Sequence, residues 1–315
     1  MAEGIVLPSF VKGPPEDAMI SRNDIQIRDP FVYVMKDEAM YYLFGTTDKN
    51  PWNQRGEGFD AYTSTDLKHW EGPHRVFTPA LGFWGTHDFW APEVHHFGDK
   101  YYLFATFKSA LARRGTQILV SDSILGPYRA VVNEAVTPKD WECLDGTLYV
   151  DKEGLPWMVF CHEWVQVHDG EIWAMPLAED LTKAVGGPRL LFKASSAKWA
   201  KPIVRRDGSG IQDARVTDGP FLHLHSDGSL VMLWSSLGQT GYAMGCAVSD
   251  TGQVTGPWRQ IEKPLIDADG GHGMVFTDLT GKLQVTYHTP NKTPFERPVF
   301  HQVRESEQGF TLSIP

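Results

Sequence analysis

Three aspartates and one glutamate have the residue types and positions needed for acid–base chemistry. Asp29, Asp145 and Asp218 each stand at the start of a short apolar strand beside Pro or Gly, and Glu163 follows another apolar run. Acids that open strands in an interior have no packing role, and neighbouring carboxylates raise one another's pKa. Such a group can supply both a protonated acid and an ionised base at neutral pH, which is the division of labour that glycoside hydrolysis needs.

The strand that begins at Asp29 is one of five similar units. The other openings are residues 90–94, 144–150, 217–222 and 271–276, and each is followed by a turn and a second apolar strand. Repetition of a β-meander at intervals of roughly 50 to 70 residues is typical of a propeller rather than a sandwich. Because helix-period patterns are scarce, we predict an all-β, five-bladed β-propeller that forms a single domain over residues 1–315.

The turn signals also predict where each blade begins and ends. Gly126-Pro127-Tyr128 is echoed by Gly256-Pro257-Trp258, which supports equivalent outer strands in the second and fourth blades. We expect the Pro-rich residues 1–24 to help close the ring. The predicted blades cover about 25–78, 86–132, 143–193, 216–262 and 270–315.

The first strand of every propeller blade lines the central axis, so the residues that open these strands should meet at one end of it. Antiparallel second strands return to the same face and bring their final residues to the mouth of the pocket. Trp90 and Trp164 are candidates for stacking on sugar rings, although aromatics are also ordinary core residues of strands. The residues expected around this pocket are Asp29, Glu93, Asp145, Asp218 and His272 from first strands, and Glu163, Trp164, Ser235 and His288 from second strands.

Charge and composition exclude several classes of partner. The formal net charge is −10 and basic residues occur only in short pairs such as Arg113-Arg114, which argues against nucleic acid. There is no run of eighteen apolar residues, and the start lacks the basic and apolar regions of a secretory signal. We therefore expect no membrane span and a monomer, located in the cytoplasm or secreted after removal of a signal. The three cysteines, Cys143, Cys161 and Cys246, are expected to be buried free thiols.

The five strand openings resemble those of glycoside hydrolase family 43, the five-bladed propeller enzymes that act on arabinose- and xylose-containing glycans. The resemblance covers nearly the whole chain, in the motifs 28–30, 90–93, 144–148, 217–221 and 271–273. It implies that Asp29 is the general base of an inverting reaction and that Asp145 tunes the pKa of the general acid. It also implies that His272 faces a central calcium or other cation through its water shell, and that Arg297 contacts substrate; a surface salt bridge of Arg297 is equally expected.

The chain departs from the family pattern at Asp218, where glutamate is usual. Aspartate is one methylene shorter, so it can protonate the leaving oxygen only if the backbone or the substrate lies closer. Glu163 is the alternative acid, because it should lie on the same face beside Asp145. We favour Asp218. A third alternative is loss of activity, which would leave a sugar-binding propeller.

A related interpretation comes from residues 141–145, which are similar to the Glu-Cys motif of invertase-like propellers that cleave fructosides. Those enzymes open with an Asn-Asp-Pro-Asn-Gly type of motif, whereas this chain has Arg28-Asp29-Pro30, so we rank this alternative lower. The resemblance thus implies an exo-acting or debranching glycosidase of an oligosaccharide or polysaccharide. The expected specificity is for α-L-arabinofuranosyl or β-D-xylosyl groups, or a related furanoside such as galactofuranose, with no cofactor required for the chemistry.

Overall fold

The chain folds into five antiparallel β-sheets, one for each predicted blade, in a computed structural model that describes residues 19–52, 54–204 and 213–313. The first sheet contains β1 (Ile20–Ser21), β2 (Arg28–Met35), β3 (Met40–Thr46), β4 (Phe59–Ser64) and β5 (His69–Phe77). The second contains β6 (His87–Phe97), β7 (Lys100–Ser109), β8 (Ala112–Ser121) and β9 (Arg129–Ala130). The third contains β10 (Cys143–Val150), β11 (Pro156–His162), β12 (Glu171–Pro176) and β13 (Arg189–Lys193).

The fourth sheet contains β14 (Asp218–Leu224), β15 (Leu230–Leu237), β16 (Tyr242–Ser249) and β17 (Arg259–Gln260). The fifth contains β18 (Gly271–Thr277), β19 (Leu283–Thr289), β20 (Arg297–Ser306) and β21 (Gly309–Leu312). Helix in the described ranges is limited to α1 (Trp164–Val167) and two single 3₁₀ turns, Arg22–Asp24 and Ala194–Ser196. The all-β, five-bladed prediction is confirmed.

Adjacent blades bury their apolar faces against one another. Between the first two blades, four buried phenylalanines pack with ring centroids 4.7 to 6.1 Å apart: Phe59, Phe77, Phe89 and Phe107. Offset and edge-to-face packing of this kind is favourable beyond simple burial. Cys143, Cys161 and Cys246 are buried free thiols, as predicted. In the described part of the chain, no helix has the length and apolar character needed to cross a membrane.

Each innermost strand contains a β-bulge close to its start. In the first blade Arg28 pairs with Thr46 and Phe31 with Phe44, so one extra residue is accommodated between these pairs. Equivalent shifts occur in the other four inner strands. The first bulge residue adopts the left-handed backbone conformation in every blade: Asp29 (φ 54°), Ala91 (φ 47°), Asp145 (φ 56°), Gly219 (φ 51°) and His272 (φ 48°).

Both ends of the described chain take part in ring closure. β1 pairs with the outer strand β5, with Ile20 opposite Trp70. The Arg297 Nε donates to the Asn23 carbonyl over 2.7 Å, and the Arg28 guanidinium lies 2.9 Å from the Glu296 carboxylate. These contacts join the N-terminal segment and first blade to the fifth blade. The expected contribution of residues 1–18 lies outside the described residues.

Candidate active site

One cavity of about 270 Å³ opens where the inner strands begin. Its walls combine carboxylates, aromatic rings and one imidazole, which suits a polar ligand with apolar faces such as a sugar. Seven of the residues expected at the site line it: Asp29, Trp90, Asp145, Glu163, Trp164, Asp218 and His272. The remaining lining residues are Arg28, Trp52, Leu144, Val216 and Tyr242.

Asp29 is buried and held as a carboxylate. Its Oδ1 lies 3.1 Å from His272 Nδ1, and its Oδ2 accepts a hydrogen bond from the Thr46 hydroxyl over 2.7 Å. Burial on its own raises the pKa of Asp29, but the charge and hydrogen bond of His272, together with Arg28, outweigh it and hold that pKa well below its usual range. Asp29 is therefore ionised at any pH at which the protein would work.

Two further acids of the cavity, Asp145 and Asp218, interact electrostatically. Asp145 Oδ2 accepts the backbone N–H of Gly219 over 3.0 Å and lies 3.6 Å from His272 Nδ1. Asp218 Oδ2 accepts only the Tyr242 hydroxyl, over 2.9 Å, among its hydrogen bonds in the described residues. Burial raises the pKa of both, and the negative charge of Asp145 raises the pKa of Asp218 further. Because Asp145 has the better donors, the proton shared by the pair favours Asp218.

Glu163, the alternative acid, is paired with a fixed cation. It precedes α1, and its Oε2 contacts Arg114, whose Nη2 also lies 2.8 Å from Asp88 Oδ2. The Arg114 guanidinium lies over the Trp90 ring at 4.4 Å from the centroid. Burial raises the pKa of Glu163 even though Arg114 opposes this shift, but a carboxylate in direct contact with a guanidinium keeps its charge more readily than Asp218 does.

His272 supplies the positive charge at the centre of the carboxylates. Burial lowers the pKa of its imidazole, but Asp29 and Asp145 outweigh burial and raise that pKa to about 10. The imidazole does not suit calcium as a ligand, because it offers only nitrogen atoms and calcium takes oxygen ligands. Nor does any group of three or more His, Cys, Asp or Glu side chains in the described ranges have an arrangement that could hold one. The residues around His272 therefore do not fit direct ligation of calcium, and a water-bound cation there stays a prediction.

Three of the expected substrate contacts lie behind the cavity wall, which corrects their placement. Ser235 is fully buried and its Oγ accepts the His272 N–H over 2.8 Å. His288 is fully buried and its Nδ1 accepts the Asp29 N–H over 3.1 Å. Glu93 follows the left-handed Ala91 by two residues, so it occupies the position that Phe31 has in the first blade. Its carboxylate lies 3.2 Å from His95 Nε2. These side chains support the site rather than contact its contents.

Arg297 is also removed from the cavity. Its guanidinium donates to the backbone carbonyls of Asn23, Pro294 and Glu296 at distances of 2.7 to 3.0 Å. All of these acceptors belong to the closure between the first and fifth blades. The expected contact with substrate is not supported by this placement. Neither is a surface salt bridge, because among the described residues Arg297 donates to carbonyl oxygens.

Besides the aliphatic Leu144 and Val216, four charged or aromatic residues in or next to the cavity were not predicted: Arg28, Trp52, Arg114 and Tyr242. Arg28 directly precedes Asp29, and its guanidinium lies over the Trp52 ring at 4.7 Å. Arg114 and Tyr242 lie near the starts of the third strands β8 and β16. Since a third strand begins on the face where the second strand ends, strand topology contained the signal for both. Trp52 belongs to the loop between β3 and β4, where no sequence pattern identified it.

Glu142, the acid of the invertase-like alternative, is engaged elsewhere. Its Oε2 accepts the Arg114 N–H over 3.0 Å and lies 3.1 Å from Lys108 Nζ. Burial raises the pKa of Glu142, but these donors outweigh burial and the net shift is downward. A carboxylate so stabilised is a poor proton donor, and it does not line the cavity.

Comparisons with known proteins agree with this architecture. The model of glycosyl hydrolases family 43 matches residues 23–306. A solved structure described as an endo-arabinase from Bacteroides thetaiotaomicron VPI-5482 is 46% identical, with a TM-score of 0.84, over 92% of this chain and 99% of that one.

Two curated relatives are more distant. The extracellular endo-alpha-(1->5)-L-arabinanase of Thermotoga petrophila is 26% identical over 82% of this chain and 55% of its own length. Extracellular endo-alpha-(1->5)-L-arabinanase 1 of Bacillus subtilis is 24% identical over 52% of this chain and 51% of its own length. The chain thus spans about half the length of the curated relatives it matches. The match of the family model over most of the chain, on a five-bladed propeller with its acids around one axial cavity, shows that the chain belongs to glycosyl hydrolases family 43.

Proposed function

We propose that the protein is an inverting glycosidase that hydrolyses a pentofuranosyl or pentopyranosyl linkage in a plant-type or microbial glycan. The observation that carries the proposal is the unequal environment of acids in one cavity. Asp29 is held ionised by His272, whereas Asp218 has its pKa raised by burial and by Asp145. A permanent base and a protonatable acid around one axis are the two groups that hydrolysis with inversion requires.

In this mechanism Asp29 accepts a proton from water as the water attacks the anomeric carbon. The Thr46 hydroxyl and the His272 imidazolium fix the carboxylate, and the His288 ring fixes its backbone through the N–H. Asp218 donates its proton to the departing glycosidic oxygen. The negative charge of Asp145 maintains the raised pKa of Asp218 until the proton is transferred to the glycosidic oxygen.

The placement of a second cavity favours Asp218 over Glu163 as the acid. A neighbouring space of about 460 Å³ shares Arg28, Trp52, Val216, Asp218 and Tyr242 with the first cavity and continues to Asn291. Asp218 therefore lies on the wall common to two compartments, where a bond between two sugar units would pass. Of the two cavities Glu163 lines only the first, and its carboxylate forms an ion pair with Arg114.

The first substrate to test is linear arabinan, because the two curated relatives and the Bacteroides structure are named for endo-cleavage of arabinan. The exo-acting or debranching mode stays a prediction from the resemblance. A time course on linear arabinan separates the modes, since exo-cleavage releases monosaccharide from the start and endo-cleavage releases oligosaccharides first. Nitrophenyl α-L-arabinofuranoside, β-D-xylopyranoside and β-D-galactofuranoside test the sugar.

Activity on any of these substrates should be abolished by Asp29→Ala. Binding of oligosaccharide without turnover across the panel would instead favour the catalytically silent sugar-binding propeller. Proton NMR of the first-formed anomer tests inversion, which requires roughly 6.5 to 9.5 Å between acid and base.

The acid is identified by comparing Asp218→Asn with Glu163→Gln on a methyl glycoside and on a nitrophenyl glycoside of the preferred sugar. A good leaving group such as nitrophenolate needs little protonation, so loss of the true acid is largely rescued on that substrate. We expect rescue for Asp218→Asn and an equal loss on both substrates for Glu163→Gln. The opposite pattern would assign the acid to Glu163.

A further inference from the structure

The backbone N–H of the left-handed bulge residue is bonded to the preceding blade in four of the five blades. In each case the acceptor is the side chain at the equivalent place in the second strand, paired with the residue just before the bulge. The bonds are Ala91 to Thr46 Oγ1 (2.8 Å), Asp145 to Thr106 Oγ1 (2.9 Å), His272 to Ser235 Oγ (2.8 Å) and Asp29 to His288 Nδ1 (3.1 Å).

The third blade breaks this pattern. Its equivalent residue is Cys161, which pairs with Leu144 as Thr46 pairs with Arg28, and which is fully buried. A thiol is a weak acceptor compared with a hydroxyl or an imidazole nitrogen. The N–H that would bind there, that of Gly219, instead donates to Asp145 Oδ2 over 3.0 Å.

We propose that Cys161 is a positioning residue for Asp145: by offering no strong acceptor, it leaves the Gly219 N–H to hold the Asp145 carboxylate. The proposal rests on the proposed function, in which Asp145 tunes the acid. The Gly219 backbone can lie against the His272 ring because glycine has no side chain. A Cβ at this position would lie 2.5 Å from that ring. Gly219 and Cys161 thus act together on one carboxylate oxygen.

A hydroxyl at position 161 should restore the pattern of the other four blades. The Gly219 N–H would then turn to the hydroxyl, and the hydroxyl would replace it as a donor to Asp145, just as the Thr46 hydroxyl accepts the Ala91 N–H and donates to Asp29 Oδ2. The Asp145 carboxylate would exchange a fixed backbone donor for a rotatable hydroxyl, and it would be held less firmly beside Asp218. Proton donation by Asp218 should suffer, whereas attack by water should not.

Cys161→Ser and Cys161→Ala provide a matched pair, because both remove the sulfur and have similar volumes but only serine adds an acceptor. For Cys161→Ser we expect kcat/KM on a methyl glycoside to fall relative to that on a nitrophenyl glycoside. The fall should be smaller than the roughly tenfold effect of deleting one hydrogen bond to a charged group, because the hydroxyl replaces the backbone donor. For Cys161→Ala the ratio between the two substrates should stay that of the wild type, whatever the smaller side chain costs in stability.

Crystal structures of both variants provide a readout that does not depend on turnover. The Gly219 nitrogen should lie within about 3.2 Å of the introduced hydroxyl in Cys161→Ser and of Asp145 Oδ2 in Cys161→Ala. An unchanged Gly219–Asp145 bond in Cys161→Ser, or the same change of substrate ratio in both variants, would overturn the proposal. An inactive wild type would refute the proposed function separately, and the structural comparison would still decide where the N–H goes.

Discussion

Removing the Tyr242 hydroxyl tests whether Asp218 carries the catalytic proton. Tyr242 is buried, its ring stacks on His288 with centroids 5.7 Å apart, and its hydroxyl donates to Asp218 Oδ2 over 2.9 Å. Tyr242→Phe deletes this donor while leaving a ring of the same shape. The hydrogen bond stabilises the ionised form of Asp218, so its loss should raise the pKa of Asp218 further.

The size of the effect follows from the geometry of this bond. A hydrogen bond to a charged group contributes about 1.5 to 3 kcal/mol, and one pKa unit corresponds to about 1.4 kcal/mol. Asp218 is only partly buried, so solvent can replace part of the lost interaction. We therefore expect a shift of about one pH unit, at the lower end of that range. Because the acid must be protonated, the active form persists to higher pH.

The assay is the pH dependence of kcat/KM on a substrate with a poor leaving group. The basic limb should move upward by about one pH unit in Tyr242→Phe, while the rate on the acidic side of the optimum changes little. Tyr128→Phe is a matched control, because this buried hydroxyl also donates one 2.9 Å hydrogen bond, to the Ile124 carbonyl, outside the cavity. The basic limb of the Tyr128→Phe profile should stay at the pH of the wild type.

The reasoning would be refuted by a basic limb that stays in place or moves downward in Tyr242→Phe. An unmoved limb would mean that the titrating acid lies elsewhere, and Glu163 would be the next residue to test. A downward shift would mean that the tyrosine stabilises the protonated form of Asp218. A parallel loss of activity in the Tyr128 control would point to stability rather than to proton transfer.

Three further predictions concern the centre of the ring and the mouth of the cavity. Gly219→Ala should destabilise the fold by about 1 to 3 kcal/mol more than Gly98→Ala, as measured by chemical denaturation. Both glycines have left-handed φ, but an added Cβ would meet the His272 ring at Gly219 and open space at Gly98. His272→Gln should lower the free energy of unfolding by about 3 to 5 kcal/mol near pH 6, because it leaves Asp29 without its buried partner. Since the folded-state pKa of His272 is raised from 6.5 to about 10, its stabilising effect is complete below pH 6.5 and is lost as pH rises through 10. In urea melts the free energies of unfolding of the wild type and the variant should therefore converge as pH rises. A difference that stays constant with pH would contradict a protonated His272. Trp52→Ala should raise KM for oligosaccharides about tenfold with little change in kcat, because this half-exposed ring borders both cavities. Trp52→Phe should bring KM back most of the way to the wild-type value. A fall in kcat alone would argue against a binding role.

The blade pattern could be predicted because it depends on local signals. Polar turns between apolar runs identify each hairpin, and the order of strands in a propeller then places strand openings at the axis. This reasoning was sufficient to bring Asp29, Asp145 and His272 together, and all three occupy the left-handed bulge position of their blades. Their convergence needed only the repeat and its topology.

The exact register could not be predicted, because a shift of one residue turns a side chain to the other face of a strand. Asp218 stands one residue before the bulge of its blade, where Arg28 stands in the first, and Glu93 stands two residues after the bulge of its own. The sequence prediction treated these positions as equivalent, because each is an acid at the start of an inner strand. Partners distant in sequence, such as the carbonyls that bind Arg297, leave no local pattern either.

The contact between Asp29 and the imidazoles of His272 and His288 spans almost the entire chain. A chain that has completed four sheets without docking the fifth therefore contains the base but neither of the rings that orient it. Hydrolysis regained during refolding would consequently report joining of the first and last sheets, a late event that secondary-structure probes such as far-UV dichroism would not register.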